Sequence, residues 1–324
     1  MTLIRLHNRQ KNSKFSFYSK NALRSLTPKL FYQRRLRYLL NTLDQYDRNY
    51  IASRIDYYLK HTHAFTLPNE KSVAIRNYRK KGQSAYFYDL KEYLNYFDHN
   101  FKVAYRFGDD THIEPYPFLV KARPVHGDND NAVLFKLNKV RHFNFIHDSK
   151  SFREKKDMLV WRGAAHQEHR KQMVRSCYNL HHCDIGQVNE NEGQVPWLKG
   201  FLSIDEQLDY KFILCIEGKD VATNLKWAMS SNSLCMMPKP KYETWFMEGT
   251  LKAGVHYVEL KDDCSDIEEK VQYYSQHPEA AEAIIANAHE HVHQFCHPQR
   301  EKLIGLLVLK KYFELSGQWQ SRHE

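Results

Sequence analysis

The chain has 324 residues, of which 42% are hydrophobic and 27% are charged, a composition typical of a globular protein with a buried core. No segment reaches the roughly 18 uncharged apolar residues of a membrane-spanning helix, and the first residues lack the apolar stretch of a secretory signal. Length and composition therefore exclude a chain without a core or with a spanning helix, and they predict two domains of ordinary size.

The formal net charge of +10 is concentrated at the N-terminus. Residues 1–60 contain 13 Lys and Arg against 3 Asp, so the remaining residues are neutral overall. A basic segment on a neutral body predicts an anionic partner, which would be a membrane face, an anionic glycolipid or nucleic acid. A solvated helical face without a partner has the same composition, and charge alone does not choose among these alternatives.

The N-terminal third is expected to be mainly helical. Residues 1–28 are polar and basic without clear periodicity, which predicts a loosely ordered arm. Between residues 28 and 60 the apolar residues recur at helical spacing, which predicts one or two amphipathic helices. Residues 66–82 are expected to form a loop, and residues 85–98 a short aromatic helix.

From about residue 102, short apolar runs alternate with polar stretches and predicted helices. The predicted strands are 103–107, 118–122, 132–137, 158–161, 210–216, 233–237 and 256–260. Capping boxes at Ser203 and Ser265 predict two helix starts, and two further helices are expected at 278–293 and 298–315. The alternation predicts an α/β fold with a mostly parallel sheet, in which ligands bind beyond the carboxyl ends of the strands.

The six cysteines are scattered without a CxxC pair, and several lie in apolar runs, which favours reduced core thiols in a cytoplasmic protein over disulfides. Histidines and cysteines at 181–183 and 289–297 raise the question of zinc. They lack compact ligand spacing, so chance clustering is the better interpretation, and no metal is expected.

The first candidate site follows the predicted strand at 210–216. Gly218 allows a tight turn, and a helix expected to begin near Val221 would present free amides to a diphosphate. Lys219 and Lys226 add positive charge. An ordinary strand-to-helix turn that uses glycine for its geometry explains the same residues equally well.

The second candidate site follows the predicted strand at 158–161. Arg162 and Gly163 form a turn, and Arg170 lies at the start of the next helix. The guanidinium fork matches phosphate oxygens, so these two arginines suit phosphate recognition. The two turns, at Arg162-Gly163 and at Gly218, lie roughly fifty residues apart and could clamp one ligand between the strand ends. Two arginines that simply face solvent are an equally good interpretation.

Asp109 and the 242–246 segment are further candidates. Asp109 lies on a loop after a predicted strand, where a carboxylate suits general-base work, although paired aspartates more often form turns. Tyr242, Trp245 and Phe246 could stack on a base or a sugar, but core packing is the better interpretation from residue types alone.

Taken together, these motifs resemble glycosyltransferase family 90, over roughly residues 100–296. The resemblance depends on the order and spacing of short motifs, namely Gly108-Asp109, Trp161-Arg-Gly with Arg170, Lys211-Phe with Gly218 and Lys226, Glu243-Thr-Trp245-Phe246 and His256-Tyr257-Val258. The phrase that begins at Glu217 looks most like the bacterial lipopolysaccharide-modifying branch of the family.

The resemblance implies a GT-B fold, in which two Rossmann-like domains face a cleft, and a basic helical N-terminal extension precedes them. The implied divisions are an extension at 1–100, the rest of the acceptor domain at 101–155, a donor domain at 156–296 and a C-terminal helix at 297–324. This helix would cross back to the N-terminal domain.

The resemblance also implies an inverting, metal-independent transfer of glucose or galactose from a UDP-sugar to a lipopolysaccharide core or related glycan. Asp109 falls at the position of the catalytic base. The positions implied to bind the donor are Arg162, Gly163, Arg170, Gly218, Lys219, Asp220, Asn224, Lys226, Glu243 and Trp245, of which Glu243 and Trp245 have no assigned role. Ala164 and Asn224 depart from eukaryotic relatives, which have Ser and Arg there, and this puts the donor sugar in doubt.

Two alternatives remain beside this hypothesis. A nucleic-acid-binding protein would use the basic arm on phosphates and aromatic residues on bases, but the charge lies outside the best-ordered region, so no nucleic acid is expected. A family 90 enzyme with a protein acceptor would require a secretory compartment. The expected location is the inner face of a bacterial cytoplasmic membrane, which the basic N-terminal region would contact.

Overall fold

A computed structural model describes residues 12–25, 27–190 and 193–319 of the chain. The chain forms two compact units. One, called here the sheet unit, contains Arg141–Lys241 and Glu248–Gln294, together with Asn12. The other, called the helical unit, contains Ser13–Val140, Tyr242–Met247 and the residues from Phe295 onwards.

Helices occur throughout both units. In chain order they are α1 (Lys14–Ser25), α2 (Lys29–Asn41), α3 (Arg48–Tyr58), α4 (Ser84–Leu94), α5 (Lys139–His142), α6 (Glu168–Cys177), α7 (Ile204–Gln207), α8 (Leu225–Met229), α9 (Ile267–Gln276), α10 (Pro278–His293) and α11 (Pro298–Leu315). Short 3-10 helices lie at Thr42–Gln45, Ile75–Asn77, Phe152–Glu154 and Glu248–Thr250. No described helix is both long enough and apolar enough to cross a membrane.

The strands have two or three residues in the helical unit and three to eight residues in the sheet unit. In chain order they are β1 (Val73–Ala74), β2 (Lys102–Val103), β3 (Phe118–Val120), β4 (Ala122–Pro124), β5 (Ala132–Leu134), β6 (Lys156–Gly163), β7 (Cys183–Gln187), β8 (Tyr210–Leu214), β9 (Leu234–Pro238), β10 (Tyr242–Thr244) and β11 (Val258–Leu260).

The sheet unit is built on a five-stranded sheet with the order β11-β9-β8-β6-β7, in which every pair is parallel. The first strand, β6, has β7 on one side, and the chain then returns to place β8 on the other side. A doubly wound sheet binds ligands where the strand order reverses in this way. The predicted α/β fold with a parallel sheet is confirmed, and the reversal lies between β6 and β8.

The core of the sheet unit consists of side chains from the central strands and from helices that cover them. Leu159, Phe212 and Leu234 are fully buried on β6, β8 and β9, and Ile267 and Ala281 pack into the same cluster from α9 and α10. Strands buried on both faces have nearly continuous apolar sequences. The apolar runs near residues 159, 212 and 235 therefore predicted these strands correctly.

The helical unit contains three separate two-stranded ladders among its described residues, which are β1-β2, β3-β5 and β4-β10. These strands have only two or three residues each. A second Rossmann-like sheet in the N-terminal half is therefore not confirmed. Most of the unit is held together by its helices, above all by α11, which buries residues on several sides, including Leu303, Leu306 and Leu309.

A buried polar cluster fixes β10 in the helical unit. Glu301 of α11 accepts hydrogen bonds from Arg54 at 3.0 Å and from the indole nitrogen of Trp245 at 2.6 Å. Trp245 in turn stacks on Tyr58 of α3, with ring centroids 3.8 Å apart. Buried charges require partners of this kind because an unpaired charge in the core is strongly destabilising. The short strand β10 is thus anchored to α3 and α11.

Several predicted elements differ from the structure. Residues 14–25 form α1 and not part of a loose arm, whereas residues 1–11 lie outside the described residues. The capping box at Ser203 is confirmed, but α9 has Asp266 as its N-cap without a side-chain hydrogen bond, so the box predicted at Ser265 is wrong. The edge strand β7 was missed, since its Asp184 and Gln187 interrupt the apolar pattern.

The cysteines are free, and five of them are buried as predicted, whereas Cys296 is exposed. Burial raises the pKa of the Cys177 thiol to about 11, so it is protonated at neutral pH. Within the described residues, no group of three or more His, Cys, Asp or Glu side chains is arranged to hold a metal ion.

The close approach of α11 to α4 gives a test of the helical unit. A Cβ added at Gly305 would lie 2.5 Å from Cε1 of Tyr93, so we expect Gly305→Ala to destabilise the protein by about 1–3 kcal/mol despite the better helix propensity of alanine. The free energy of unfolding from urea titration measures this. In the double variant with Tyr93→Leu the clash is removed, so its loss of unfolding free energy should be smaller than the sum of the losses in the two single variants. Additive losses would contradict the close packing of Gly305 on Tyr93.

Candidate functional site

Arg170 occupies the point where the strand order of the sheet reverses. Its Nη1 donates to the carbonyl of Ala164, after β6, at 3.1 Å. Its Nε and Nη2 donate to the carbonyls of Glu217 and Ile216, after β8, at 2.8 and 2.7 Å. One guanidinium therefore joins the loops at the carboxyl ends of two neighbouring strands.

Gly218 lies against this guanidinium, as the sequence predicted. A Cβ added at Gly218 would lie 3.3 Å from Nη2 of Arg170, which is tighter than an ordinary contact. The φ angle of Gly218 is not positive. Glycine is therefore required here by the closeness of Arg170 and not by an unusual backbone conformation.

The charge at this position favours an anion. Burial and, to a smaller extent, the neighbouring Arg141 together lower the pKa of Arg170 to about 10, although Asp220 and Glu217 oppose the shift. Two guanidinium groups near each other repel, and a bound anion removes that repulsion. Arg141 was missed by the sequence analysis because it belongs to no local motif and lies far from Arg170 in the chain.

Arg162 points to the other side of β6. Its Nη1 and Nη2 donate to the carbonyl and the carboxylate of Asp184 on β7, each at 2.7 Å, and its Nε donates to the carbonyl of Gly200 at 3.1 Å. Its side chain is only 7% exposed. The structure thus places Arg170, but not Arg162, beside Gly218, and donor binding by Arg162 stays a prediction.

Gly163 has a local explanation. A Cβ added there would lie 2.7 Å from Cζ2 of Trp161, so the residue must be small for this indole to pack against β6. Close packing on Trp161 therefore accounts for the glycine at this position. A role of Gly163 in binding a donor also stays a prediction.

The loop after β8 is longer than predicted. Helix α8 begins at Leu225 and has only five residues, so a helix start near Val221 is wrong. The loop is closed instead by Asn224, whose Nδ2 donates to the carbonyl of Leu214 at 2.9 Å. Lys219 is exposed on this loop, and Asp220 is buried in it.

Lys226 does not lie on the loop surface. Its ammonium group is fully buried and pairs with the buried Glu248 at 2.7 Å. The expectation that it adds charge beside a diphosphate is therefore not supported. A buried lysine requires such a partner, and this requirement accounts for its position.

Asp109 lies in the helical unit on a loop that follows Gly108, whose φ of +108° favours glycine. Its carboxylate pairs with Lys121, which is 1% exposed, and accepts a hydrogen bond from Tyr86 at 3.3 Å. The side chain of Asp109 remains 32% exposed. The carboxylate is thus both fixed in position and open to solvent, as a general base requires.

The neighbouring Asp110 has a different role. Its carboxylate accepts a hydrogen bond from the backbone nitrogen of His112 at 3.0 Å and pairs with Arg106 at 3.3 Å. This is the turn-forming arrangement that paired aspartates often adopt. The structure thus distinguishes the two aspartates, because Asp110 caps the turn at His112 whereas Asp109 pairs with Lys121.

Glu243 and Trp245 belong to the buried cluster of the helical unit. Arg123 donates to Glu243 at 2.7 Å, Tyr57 also donates to Glu243, and both Glu243 and Trp245 are buried. Core packing of Trp245 and Phe246 is confirmed, since neither is exposed, whereas Tyr242 is partly exposed. Glu243 and Trp245 belong to the helical unit, whereas Arg170 and Gly218 belong to the sheet unit, and donor binding by Glu243 and Trp245 stays a prediction.

Comparison with known proteins identifies the family of this chain. The model of glycosyl transferase family 90 matches residues 137–315. The chain is 44% identical to O-glucosyltransferase LpsA of Dichelobacter nodosus, over 93% of this chain and 96% of that protein. It is also 28% identical to Protein O-glucosyltransferase 3 of Homo sapiens, over 51% of this chain and 33% of that protein.

The Arg162–Asp184 pair gives a pH-dependent test. Burial opposes ionisation of Asp184, but hydrogen bonds from Lys199, Arg162 and Tyr210 hold its pKa at about 2, below its ordinary value of 3.8. The pair therefore stabilises the fold above about pH 4, and this contribution is lost as the pH falls towards 2. We expect Asp184→Asn to lower the free energy of unfolding by about 2 kcal/mol at neutral pH.

Urea titrations at several pH values check this expectation. The difference in unfolding free energy between wild type and Asp184→Asn should shrink as the pH falls below about 4. Asp262→Asn is the matched control, because its pair with Lys241 is exposed and should contribute less than about 1 kcal/mol. A difference that does not change with pH would contradict the role of the ionised Asp184.

Proposed function

The chain belongs to glycosyltransferase family 90 and is therefore a sugar transferase, and we propose that it is an inverting, metal-independent one. It would move a hexose from a UDP-sugar to a hydroxyl of a lipopolysaccharide core or related glycan. The name of the relative with 44% identity, an O-glucosyltransferase, supports UDP-glucose ahead of UDP-galactose.

The observation that carries this proposal is the position of Arg170 beside Gly218 at the reversal point of the parallel sheet. A guanidinium has five N–H donors, and the hydrogen bonds of Arg170 to main-chain carbonyls use three of them. Within the described part of the chain, two donors thus remain for a phosphate. Arg170 is held in place before a ligand arrives, so it loses little freedom on binding.

The chemistry requires such a cation. As the bond between the sugar and the diphosphate breaks, negative charge grows on the leaving UDP. A fixed donor directed at that charge typically lowers the barrier by about 3 kcal/mol. Arg170 would supply this stabilisation, with Arg141 and Lys219 adding positive charge, while Arg162 would act by holding β7 and the loop at Gly200.

Asp109 is proposed as the general base. It would take the proton of the acceptor hydroxyl while that oxygen forms a bond to the anomeric carbon, and the bond from this carbon to UDP would break on the opposite face. Its fixed but accessible carboxylate supports this role. A positioned base typically accelerates such a step by a factor of about 10² to 10⁴.

The division of labour would be that of a GT-B enzyme, with the donor bound by the sheet unit and the acceptor by the helical unit. The enzyme would work at the inner face of a bacterial cytoplasmic membrane, to which the basic N-terminal region would attach. A protein acceptor is the second candidate, because the human relative is a protein O-glucosyltransferase. Transfer assays with lipopolysaccharide and with folded protein domains distinguish the two.

Asp109→Asn tests the base. We expect the rate of glucose transfer, measured as UDP release with UDP-glucose and a glycan acceptor, to fall by a factor of about 10² to 10⁴. UDP should still raise the melting temperature of the variant, because a ligand that binds the native state stabilises it. Asp110→Asn is the control and should keep most of the activity. Normal turnover of Asp109→Asn would show that another group removes the proton.

Gly218→Ala tests the donor site. The added Cβ would press on Nη2 of Arg170, so we expect UDP to bind about tenfold more weakly, as measured by calorimetry, while the backbone tolerates the change. Gly200→Ala is the matched control, because a Cβ added there meets nothing within 4 Å. Equal affinities of the two variants for UDP would exclude Gly218 and Arg170 as part of the donor site.

A further inference from the structure

The outward face of α2 combines aromatic and cationic side chains. This face consists of residues spaced by three and four positions, namely Phe31, Arg34, Arg35 and Tyr38. The opposite face is buried in the helical unit and consists of Tyr32, Leu36 and Leu39. The guanidinium of Arg35 lies over the ring of Tyr38 at 4.9 Å, so the two kinds of side chain are interleaved.

Exposed hydrophobic side chains are concentrated here. Phe31 and Tyr38 are each 58% exposed, and Leu30 beside them is 57% exposed. Of the nine large hydrophobic side chains that are exposed among the described residues, these three lie on α2 and three more lie on the preceding helix α1. Single exposed apolar residues are common, but such a concentration indicates a surface that contacts another apolar phase.

The charge of this segment identifies the partner. Residues 12–41 contain seven Lys and Arg and no Asp or Glu. A second copy of the same face would be repelled, and a partner without negative charge would gain nothing from the arginines. A bilayer of anionic phospholipid matches both features, because its phosphates attract cations and its interface accepts aromatic and aliphatic side chains.

We propose that the outward face of α2 lies in the surface of an anionic phospholipid bilayer. Phe31, Leu30 and Tyr38 enter the interfacial layer, and Arg34 and Arg35 bind lipid phosphates. This inference rests on the proposed attachment of the basic N-terminal region to a membrane. It adds the face that makes the contact and the apolar insertion, which charge alone does not predict.

A cavity of about 410 Å³ beside this face offers a place for a lipid phosphate. Its lining includes Phe31, Arg35, Arg24, Glu92 and Lys302. Glu92 is shared among three cations, since Arg24, Lys139 and Lys302 lie 2.9, 2.7 and 3.0 Å from its carboxylate. Lys139 also pairs with the buried Asp89, at 3.3 Å. The cavity lining itself contains three cations, Arg24, Arg35 and Lys302, against the carboxylate of Glu92, and this excess positive charge favours a phosphate in the cavity.

Sedimentation with vesicles tests the proposal on the full chain without any sugar donor. The vesicles contain phosphatidylglycerol and phosphatidylcholine in equal parts, or phosphatidylcholine alone. We expect the Arg34→Gln, Arg35→Gln double variant to bind anionic vesicles about 30-fold more weakly at low salt. We expect the Phe31→Ser, Tyr38→Ser double variant to bind anionic vesicles at least about tenfold more weakly. The loss should affect mainly the part of the binding that persists at high salt, because ions do not screen the insertion of apolar side chains.

Tyr273→Ser is the matched control, because Tyr273 is 49% exposed on α9 of the sheet unit, and it should bind like wild type. In a separate variant, Phe31→Trp, vesicles with brominated acyl chains should quench more tryptophan fluorescence than in wild type. Normal binding of Phe31→Ser, Tyr38→Ser, or no added quenching, would overturn the insertion while leaving the electrostatic attachment intact.

Two other results would overturn more than the insertion. Equal binding to neutral and anionic vesicles, or none to either, would overturn both the insertion and the attachment of the basic region. Salt-sensitive binding to an oligonucleotide with no binding to vesicles would assign the face to nucleic acid. Sugar transfer is not measured in any of these assays, so they do not depend on the proposed reaction.

Discussion

The site depends on one guanidinium that ties together two strand ends. In a parallel sheet, main-chain carbonyls at the carboxyl ends of the strands have no partner from the ladder, and they must be satisfied in another way. Arg170 satisfies those of Ala164, Ile216 and Glu217. Because these carbonyls follow two different strands, the position of Arg170 is set by the sheet itself. Gly218 completes the arrangement by leaving room for the guanidinium.

The same types of charged residue serve two distinct purposes in this protein. Lys226 with Glu248, and Arg54 with Glu301, are fully enclosed pairs that hold elements in place. Lys121 is enclosed as well, but its partner Asp109 is one-third exposed, so this pair holds a carboxylate in position without hiding it from a substrate. Burial of the partner, and not residue type, distinguishes a fully enclosed ion pair from one whose carboxylate stays accessible.

The two units thus contribute different physical resources. The sheet unit offers a fixed guanidinium, that of Arg170, where its strand order reverses, which suits an anion. The helical unit offers an accessible carboxylate, and its α2 offers a cationic surface with exposed aromatic rings. The transfer to a lipid-linked glycan that we propose would use both kinds of contact, since its donor would be dissolved and its acceptor held in a membrane.

The sequence by itself determined the elements whose signal is local. Apolar runs predicted β6, β8, β9 and β11, the helices α10 and α11 were predicted with their observed limits, and the pairing of Arg170 with Gly218 followed from two similar turns. Tertiary structure alone decided what depends on distant partners. It buried Lys226 against Glu248, turned Arg162 towards Asp184, brought Arg141 near Arg170 and left Phe31 in solvent. The physical reason is that hydrogen-bonding periodicity acts between neighbours in the chain, whereas burial and charge pairing act between neighbours in space.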